Sequence, residues 1–382
     1  MTDRKTYDKL NKRISKKSVL VIGGAGTIGS FYIKALIKYN PKKLVVVDIN
    51  ENGLTELVRD LRSSHGCNVP EDFITYPINF GDKVFEKLFK DHGPFEIVAN
   101  FAAHKHVRSE KDIFSIQAMI ENNVLKARKL LDLLIVYPPE HFFCVSTDKA
   151  ANPVNIMGAS KKLMEELIMA YSLKIPITTA RFANVAFSNG SLPLGFINRL
   201  NKNQPWSCPL GIKRFFVSPE ESGQLCLLAS VLGESGDIFF PKLDEEKDMI
   251  PFDKIAKDLL KYVGLEIDHC KSESEAKKKS ILLTDNSKKY PVYFFGSETS
   301  GEKAFEEFFT KNEILDLKEF ENLGVIKNSI KRDLSEIDLI FKNIEKVFLK
   351  KSIKKSHIID ALNKYLPNFD HIETGKHLDQ KM

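Results

Sequence analysis

The stretch that most constrains this chain runs from Lys17 to Tyr39. Its apolar start, Lys17–Ile22, reads as a short strand. Gly23-Gly24-Ala25-Gly26-Thr27-Ile28-Gly29 follows, and Ile28–Tyr39 reads as an apolar helix. Gly23, Gly26 and Gly29 recur at every third position. Such glycines permit a tight turn and close backbone approach, and the amino end of the next helix offers N–H groups to a pyrophosphate. A second strand, Lys43–Val47, delivers Asp48 about 20 residues past the turn, where a dinucleotide-binding unit carries the acid that holds ribose hydroxyls. Gly23, Gly26, Thr27, Ile28, Gly29 and Asp48 are therefore the expected cofactor-binding set. A carboxylate at position 48 disfavours a 2′-phosphate, so NAD is expected rather than NADP. The competing reading makes Asp48 the cap of a helix over Ile49–Arg62.

The alternation continues. Strands are expected at Phe73–Ile78, Phe95–Phe101, His141–Ser146 and Ile177–Phe182, with helices at Lys83–Lys90, Ile113–Leu134 and Ile156–Tyr171. That order predicts an α/β fold, a Rossmann-like doubly wound parallel sheet with a smaller mixed C-terminal substrate lobe. After about Val185 the regularity fails. Asn189-Gly190 marks a loop, Pro219–Leu232 reads as a helix and Asp237–Phe240 as a strand. A Lys- and Glu-rich tail then carries expected helices at Pro251–Val263, Lys303–Thr310 and Asp333–Lys350, and Lys271–Ser280 reads as a solvated helix or loop. The expected division is a basic helical arm over 1–17, an NAD-binding domain over 18–185, and a substrate-binding lobe with a helical tail over 186–382.

Composition removes several classes. The 382 residues carry a net charge of +6, and the surplus Lys lies in 1–17, 271–289 and 342–355 without aromatic interleaving. These runs read as solvated faces, and nucleic-acid binding is not expected. No window approaches the ~20 apolar residues of a membrane span, and the polar, basic start is no secretory signal. Cys67, Cys144, Cys208, Cys226 and Cys270 are an odd count without paired spacing, as in reduced thiols of a cytoplasmic protein. His104 and His106 lack a third ligand at suitable spacing, so no metal site is expected.

A second stretch carries chemistry. In Val145–Lys161, VSTDKAANPVNIMGASK, the strand delivers Thr147, Asp148 and Lys149 at its end. Asn152-Pro153 forms a loop, and Met157 and Lys161 fall on one face of the helix that begins near Asn155. Together with Gly23-x-x-Gly26-x-x-Gly29 and Asp48, this segment resembles the extended short-chain dehydrogenase/reductase superfamily. It resembles the nucleotide-sugar 4,6-dehydratases of polysaccharide biosynthesis more closely. The match includes ARFANVAFSNGSLP (Ala180–Pro193) and NFAAHKHVRSE (Asn100–Glu110), covers roughly residues 18–240, and extends to the ending ETGKHLDQKM, similar to one soluble subgroup. The superfamily places a Tyr four residues before the helix Lys; Met157 stands there, as in the branch whose resemblance implies retention at sugar carbon five. Many of that branch carry an N-terminal membrane domain, whereas this chain is expected to be a soluble form.

The resemblance implies oxidation at C4 by hydride transfer to NAD⁺, loss of water across C5–C6 and hydride return to C6. Asp148 is then the candidate acid for the C6 hydroxyl, needing a raised pKa, and Lys149 the candidate C5 base, needing a lowered one. A loop ion pair is the alternative for these two. Lys161 would hold the nicotinamide ribose, or else be a surface helix lysine. Met157 cannot take a proton and reads as packing, leaving Thr147, a water or Asp148 to relay the O4 proton. Lys105, His106 and Asn184 resemble sugar and diphosphate contacts, and Ala102 and Ala103 are small where the cofactor passes. Asn123 matches a helix Asn with a structural or water-binding role. Arg214 could hold a phosphate bidentately or form a surface ion pair. The expected substrate is a UDP- or GDP-N-acetylhexosamine and the expected assembly a homo-oligomer. A 4-epimerase of the same superfamily and a non-catalytic NAD-binding regulator are the competing functions.

Overall fold

The computed structural model describes residues 4–296, 303, 305–327, 329 and 331–372. These fall into two compact units: one takes the described residues within 1–182, 219–242 and 307–370, the other those within 183–218, 243–306 and 371–372. The units therefore do not follow a single cut near 185. A helix–strand pair (219–242) and the described residues of 307–370 in the tail return to the first unit.

The chain forms β1 (Ser18–Ile22), β2 (Lys43–Val47), β3 (Asp72–Tyr76), β4 (Ile97–Asn100), β5 (His141–Val145), β6 (Ile177–Ala180), β7 (Asn184–Val185) and β8 (Trp206–Leu210). Next come β9 (Lys213–Val217), β10 (Ile238–Pro241), β11 (Met249–Pro251), β12 (Glu266–Cys270), β13 (Lys289–Gly296), β14 (Ile314–Asp316) and β15 (Leu323–Lys327). The first unit holds a sheet in the order β14-β15-β10-β6-β5-β4-β1-β2-β3. From β10 to β3 neighbouring strands are parallel; β15 and β14 join antiparallel at the far edge. The parallel strands read as continuous apolar runs because helices cover both faces, and Val19–Ile22 and Leu44–Val47 are accordingly buried.

Register decides where the loops emerge. Ile22 pairs with Val47 and with Asn100, Asn100 with Cys144, and Val145 with Ala180. The residues after β1, β2, β4 and β5 thus leave the sheet at one level. Strand order reverses between β1 and β4, the switch point at which open α/β sheets bind ligands.

The helices of this unit include α1 (Arg4–Ile14), α2 (Thr27–Leu36), α3 (Glu51–Ser63), α4 (Lys83–His92), α5 (Ile113–Ile120), α6 (Lys126–Val136) and α7 (Ile156–Tyr171), and later Pro219–Leu232, Leu334–Phe348 and Lys355–Asn363. The basic arm is the docked helix α1, with Leu10 and Ile14 buried and Tyr7 packed 5.1 Å from Tyr39 between ring centres. The helix Pro219–Leu232 meets α2 backbone to backbone: a Cβ on Gly223 would lie 2.4 Å from the Phe31 carbonyl. The helix expected over Ile113–Leu134 is interrupted by a π turn at Glu121–Leu125. The helix expected over Lys303–Thr310 is absent among its described residues. Phe308 and Phe309 instead pack against Phe240, with ring centres 6.3 and 5.1 Å away, and an irregular segment serves that better than a helix face.

The second unit holds two three-stranded sheets, β11-β9-β7 and β12-β13-β8. Its core gathers Phe196, Trp206, Cys208, Ala256, Leu260, Tyr290 and Val292, with Phe196 stacked on Trp206 at 4.6 Å. No helix among the described residues is long and apolar enough to cross a membrane.

Candidate active site

The glycine turn is built as its spacing requires. Gly23 has φ +76°, and a Cβ there would lie 2.5 Å from the Ala102 amide nitrogen, so the turn presses directly on the segment after β4. A Cβ on Gly29 would lie 2.4 Å from the Gly23 carbonyl oxygen. Gly26 differs. Its nearest neighbour to an added Cβ is the Gly23 oxygen at 3.4 Å, so its outer side is open to a ligand. α2 begins just after it, with no side chain at the cap to occupy the amino end.

Asp48 lies half-buried at the end of β2. Its Oδ2 accepts from the Ala25 N–H at 3.0 Å and its Oδ1 from the Asn50 N–H at 2.9 Å. Each oxygen keeps a second lone pair for a hydroxyl. The cap of α3 is Asn50, which accepts from the Gly53 N–H at 2.9 Å, so the helix-cap reading of Asp48 is replaced. The open Gly26, the bare start of α2 and Asp48 together fit a dinucleotide. Ala102 and Ala103 lie half-buried beside this turn, with the Ala102 N–H donated to Asn100 at 3.0 Å.

The end of β5 supplies the reactive groups. Thr147 caps a single 3-10 turn, Asp148–Ala150. Asp148 is buried, and its Oδ1 accepts from the Thr147 hydroxyl at 2.8 Å, the Lys149 N–H at 2.9 Å and the Lys149 ammonium at 3.0 Å. Among the described residues, all the hydrogen bonds of its carboxyl group fall on that one oxygen. The carboxyl is thereby oriented, with Oδ2 left for chemistry.

α7 packs against this loop without a gap: a Cβ on Gly158 would lie 2.6 Å from the Lys149 carbonyl oxygen. Asn155 caps α7 through the Gly158 N–H at 2.7 Å. Lys161 is buried and donates to the Val145 carbonyl at 2.6 Å; burial lowers its pKa. Met157 is buried as well. Its N–H donates to Glu110 at 2.9 Å and its carbonyl accepts from the Ser160 hydroxyl at 2.7 Å. The π turn carries Asn123, which accepts from the His104 N–H at 2.8 Å and donates to the His104 carbonyl at 2.9 Å and to Ser160 at 3.1 Å. The segment after β4 is thus tied to α7. Lys105 and His106 lie on it. Both keep exposed surface, yet the atoms crowded around them lower both pKa values, with neighbouring cations adding to the effect at His106.

Behind the loop lies a polar cluster that sequence patterns did not reveal. Arg181, fully buried after β6, donates from Nε and Nη2 to Glu165 at 2.9 Å each. It also donates to both oxygens of Glu313, at 2.9 and 2.8 Å, and to the Phe308 carbonyl at 2.9 Å. Glu165 accepts from the Ser146 hydroxyl at 2.6 Å, one residue before Thr147. Burial pushes the Glu165 carboxyl up, but the Arg181 charge, Lys162 and these hydrogen bonds outweigh it, and its pKa ends lowered. The available signal was a charged residue one helical turn beyond Lys161 within an otherwise buried run.

Asn184 and Arg214 belong to the second unit. Asn184 pairs with Phe216 across β7 and β9, and Arg214 stands two residues earlier on β9. Arg214 is buried and donates to the carbonyls of Lys213 and Lys303 at 2.8 and 3.1 Å, so it is no exposed ion pair.

A family model described as "Polysaccharide biosynthesis protein" matches residues 19–328. "Uncharacterized membrane protein MJ1061" of Methanocaldococcus jannaschii is 30% identical over 84% of this chain and 88% of its own. Capsular polysaccharide biosynthesis protein CapD of Staphylococcus aureus is 26% identical over 91% of this chain, which spans about half of that relative, 54%. An inverting UDP-N-acetylglucosamine 4,6-dehydratase of Campylobacter jejuni is 27% identical over 61% of this chain and 69% of its own. A UDP-glucose 4-epimerase of Rickettsia bellii is 28% identical over 59% and 66%. Among solved structures, Pen from Bacillus thuringiensis aligns with TM-score 0.67 at 21% identity, covering 86% of this chain and 98% of its own. WbmF of Bordetella bronchiseptica, solved with NAD⁺, aligns with TM-score 0.52 at 19% identity, covering 66% and 79%. At these identities the two structures share the fold.

Proposed function

The chain belongs to the polysaccharide biosynthesis protein family, whose relatives include nucleotide-sugar 4,6-dehydratases and 4-epimerases, and from that membership we propose that it is an NAD-dependent 4,6-dehydratase of a nucleotide-diphospho-N-acetylhexosamine. The observation that carries this reading is the Asp148–Lys149 pair, joined at 3.0 Å beside a buried Lys161. An epimerase needs no such acid–base pair.

Bound NAD would accept the C4 hydride and later return it to C6. Gly26, the start of α2 and Asp48 would hold it, with Gly23, Thr27, Ile28 and Gly29 shaping the turn and Ala102 and Ala103 leaving room alongside. Lys161 would hold its ribose. The dehydration then falls to the pair. Shifting one proton across the 3.0 Å contact turns an ammonium and a carboxylate into an amine and a carboxylic acid. Lys149 takes the C5 proton and Asp148 gives its proton to the departing C6 hydroxyl. Water leaves, the Lys149 ammonium returns its proton to C5 as hydride comes back to C6, and the proton released from O4 restores the pair to ammonium and carboxylate. Thr147, hydrogen-bonded to Asp148 at 2.8 Å, would relay the O4 proton, since Met157 has none to exchange. Lys105 and His106 would be sugar or diphosphate contacts in the first unit, and the same role is proposed for Asn184 and Arg214 in the second.

The test is incubation of purified protein with UDP- and GDP-N-acetylglucosamine, read by mass spectrometry. Loss of one water supports the dehydratase; unchanged mass with inverted C4 stereochemistry assigns an epimerase. Asp148→Asn and Lys149→Met should each lower turnover by about a hundredfold or more, and full activity in either would remove that residue from the mechanism.

A further inference from the structure

Glu110 is a buried carboxyl for which the reaction has no use. It ends the 3-10 turn Val107–Glu110, in the segment that carries Lys105 and His106, and only 4% of it is exposed. Its Oε1 accepts the Met157 N–H at 2.9 Å, across 47 residues of sequence. Met157 lies in the first turn of α7, where backbone N–H groups have no partner within the helix and the helix dipole favours a negative charge. Asn155 satisfies one such group, the Gly158 N–H; Glu110 satisfies another from outside the helix. Met157 is therefore held at both backbone groups, by Glu110 at its N–H and by Ser160 at its carbonyl, and Ser160 is held by Asn123.

We propose that Glu110 is a positioning residue: by gripping the Met157 N–H it sets the first turn of α7, and with it Met157 and Lys161, against the segment bearing Lys105 and His106. The grip depends on reach as well as on charge. Gln at 110 presents an amide oxygen in the same place and can accept the same N–H. Asp keeps the charge but withdraws the oxygens by one methylene. Ala removes both. This inference rests on the proposed dehydration only for its kinetic consequence.

The experiment compares Glu110→Gln, Glu110→Asp and Glu110→Ala with wild type by two readouts, at a temperature well below the unfolding of each. Amide hydrogen exchange of the peptide covering 155–161 is the first; it needs no activity. Exchange should quicken in the Asp and Ala variants and stay near wild type in Gln. Turnover is the second: kcat should fall by about tenfold to a hundredfold in Asp and Ala, as a small misplacement of reacting groups does, with bound NAD(H) and KM little changed and Gln close to wild type. Unchanged exchange in the Asp variant overturns the proposal, as does a Gln variant impaired while Asp is intact, which would mean that charge alone matters. If Ala fails to fold, the Gln and Asp pair decides. A wild type that dehydrates nothing refutes the proposed function, while the exchange readout still judges Glu110.

Discussion

Replacing Arg181 with Met should destabilise the first unit more than any single change at the reactive loop. All five guanidinium N–H donors are used, two on Glu165, two on Glu313 and one on the Phe308 carbonyl, and the side chain has no exposed surface. Met fills most of the volume but leaves two carboxylates facing each other; Glu165 is 1% exposed and Glu313 16%. Breaking a buried ion pair by removing one partner costs about 3–5 kcal/mol. At roughly 2–4 °C per kcal/mol the midpoint of thermal unfolding should fall by about 6–20 °C. The effect should depend on pH. The Glu165 pKa is lowered in the fold, so its contribution is present above the unfolded carboxyl value, about 4.3, and is lost as pH falls through the folded value. The gap between wild type and Arg181→Met should therefore be widest near neutrality and narrow below about pH 4. Adding Glu165→Leu should recover part of the loss, because Glu313 can turn to solvent whereas Glu165 cannot. Calorimetry of wild type, single and double variants at two pH values reads all of this. A single variant within about 2 °C of wild type, or a double variant worse than the sum of its parts, would refute the reasoning.

Two further substitutions separate fold from ligand in the glycine turn. Gly26→Ala places a methyl 3.4 Å from the Gly23 oxygen, at ordinary contact distance, and should keep the wild-type unfolding midpoint while losing bound NAD(H); Gly29→Ala, 2.4 Å from a carbonyl oxygen, should lose both. Absorbance and fluorescence of the denatured supernatant measure the cofactor, and a Gly26→Ala protein with full NAD(H) would remove the turn from the site. Met157 is 2% exposed, so Met157→Tyr must overfill its pocket, at about 1–3 kcal/mol, and should slow turnover, whereas Met157→Leu stays near wild type. A Tyr variant faster than wild type would show that the site is not built around Met.

The parallel sheet was legible because each of its strands is an apolar run that a helix separates from the next. The bounds of β2 and α7 follow from pattern alone, and Asn155, near which the helix was expected to begin, proves to be its cap. The glycine spacing was legible for the same reason, though Gly24 was not: its Cβ would lie 2.3 Å from a Val46 methyl, a contact that only the folded chain defines. β14 and β15 escaped notice because three- and five-residue strands among polar residues have no period to detect. Glu110 and Arg181 escaped for another reason. A lone charge in a loop or at a strand end looks solvated until its partners, 47 and 132 residues away, are known. Asp148 and Lys149 were visible as neighbours, but the concentration of three donors on one carboxyl oxygen belongs to the turn, not to the residue types.

The antiparallel edge has a consequence for how this chain can be made. A ribosome delivers β10 long before β14 and β15, which cover its outer side. Throughout that interval the emerging sheet ends in an open strand, and Arg181 awaits Glu313, 132 residues further along. An uncovered edge beside an unsatisfied buried cation invites pairing with another nascent chain. The sheet that carries the glycine turn is therefore closed by the tail and not before it. A fragment ending at Lys242 would keep every residue of the glycine turn and the reactive loop, yet it would carry a raw edge and half of the carboxylates that hold Arg181. Such a fragment should be recovered as aggregate rather than as an NAD-binding domain.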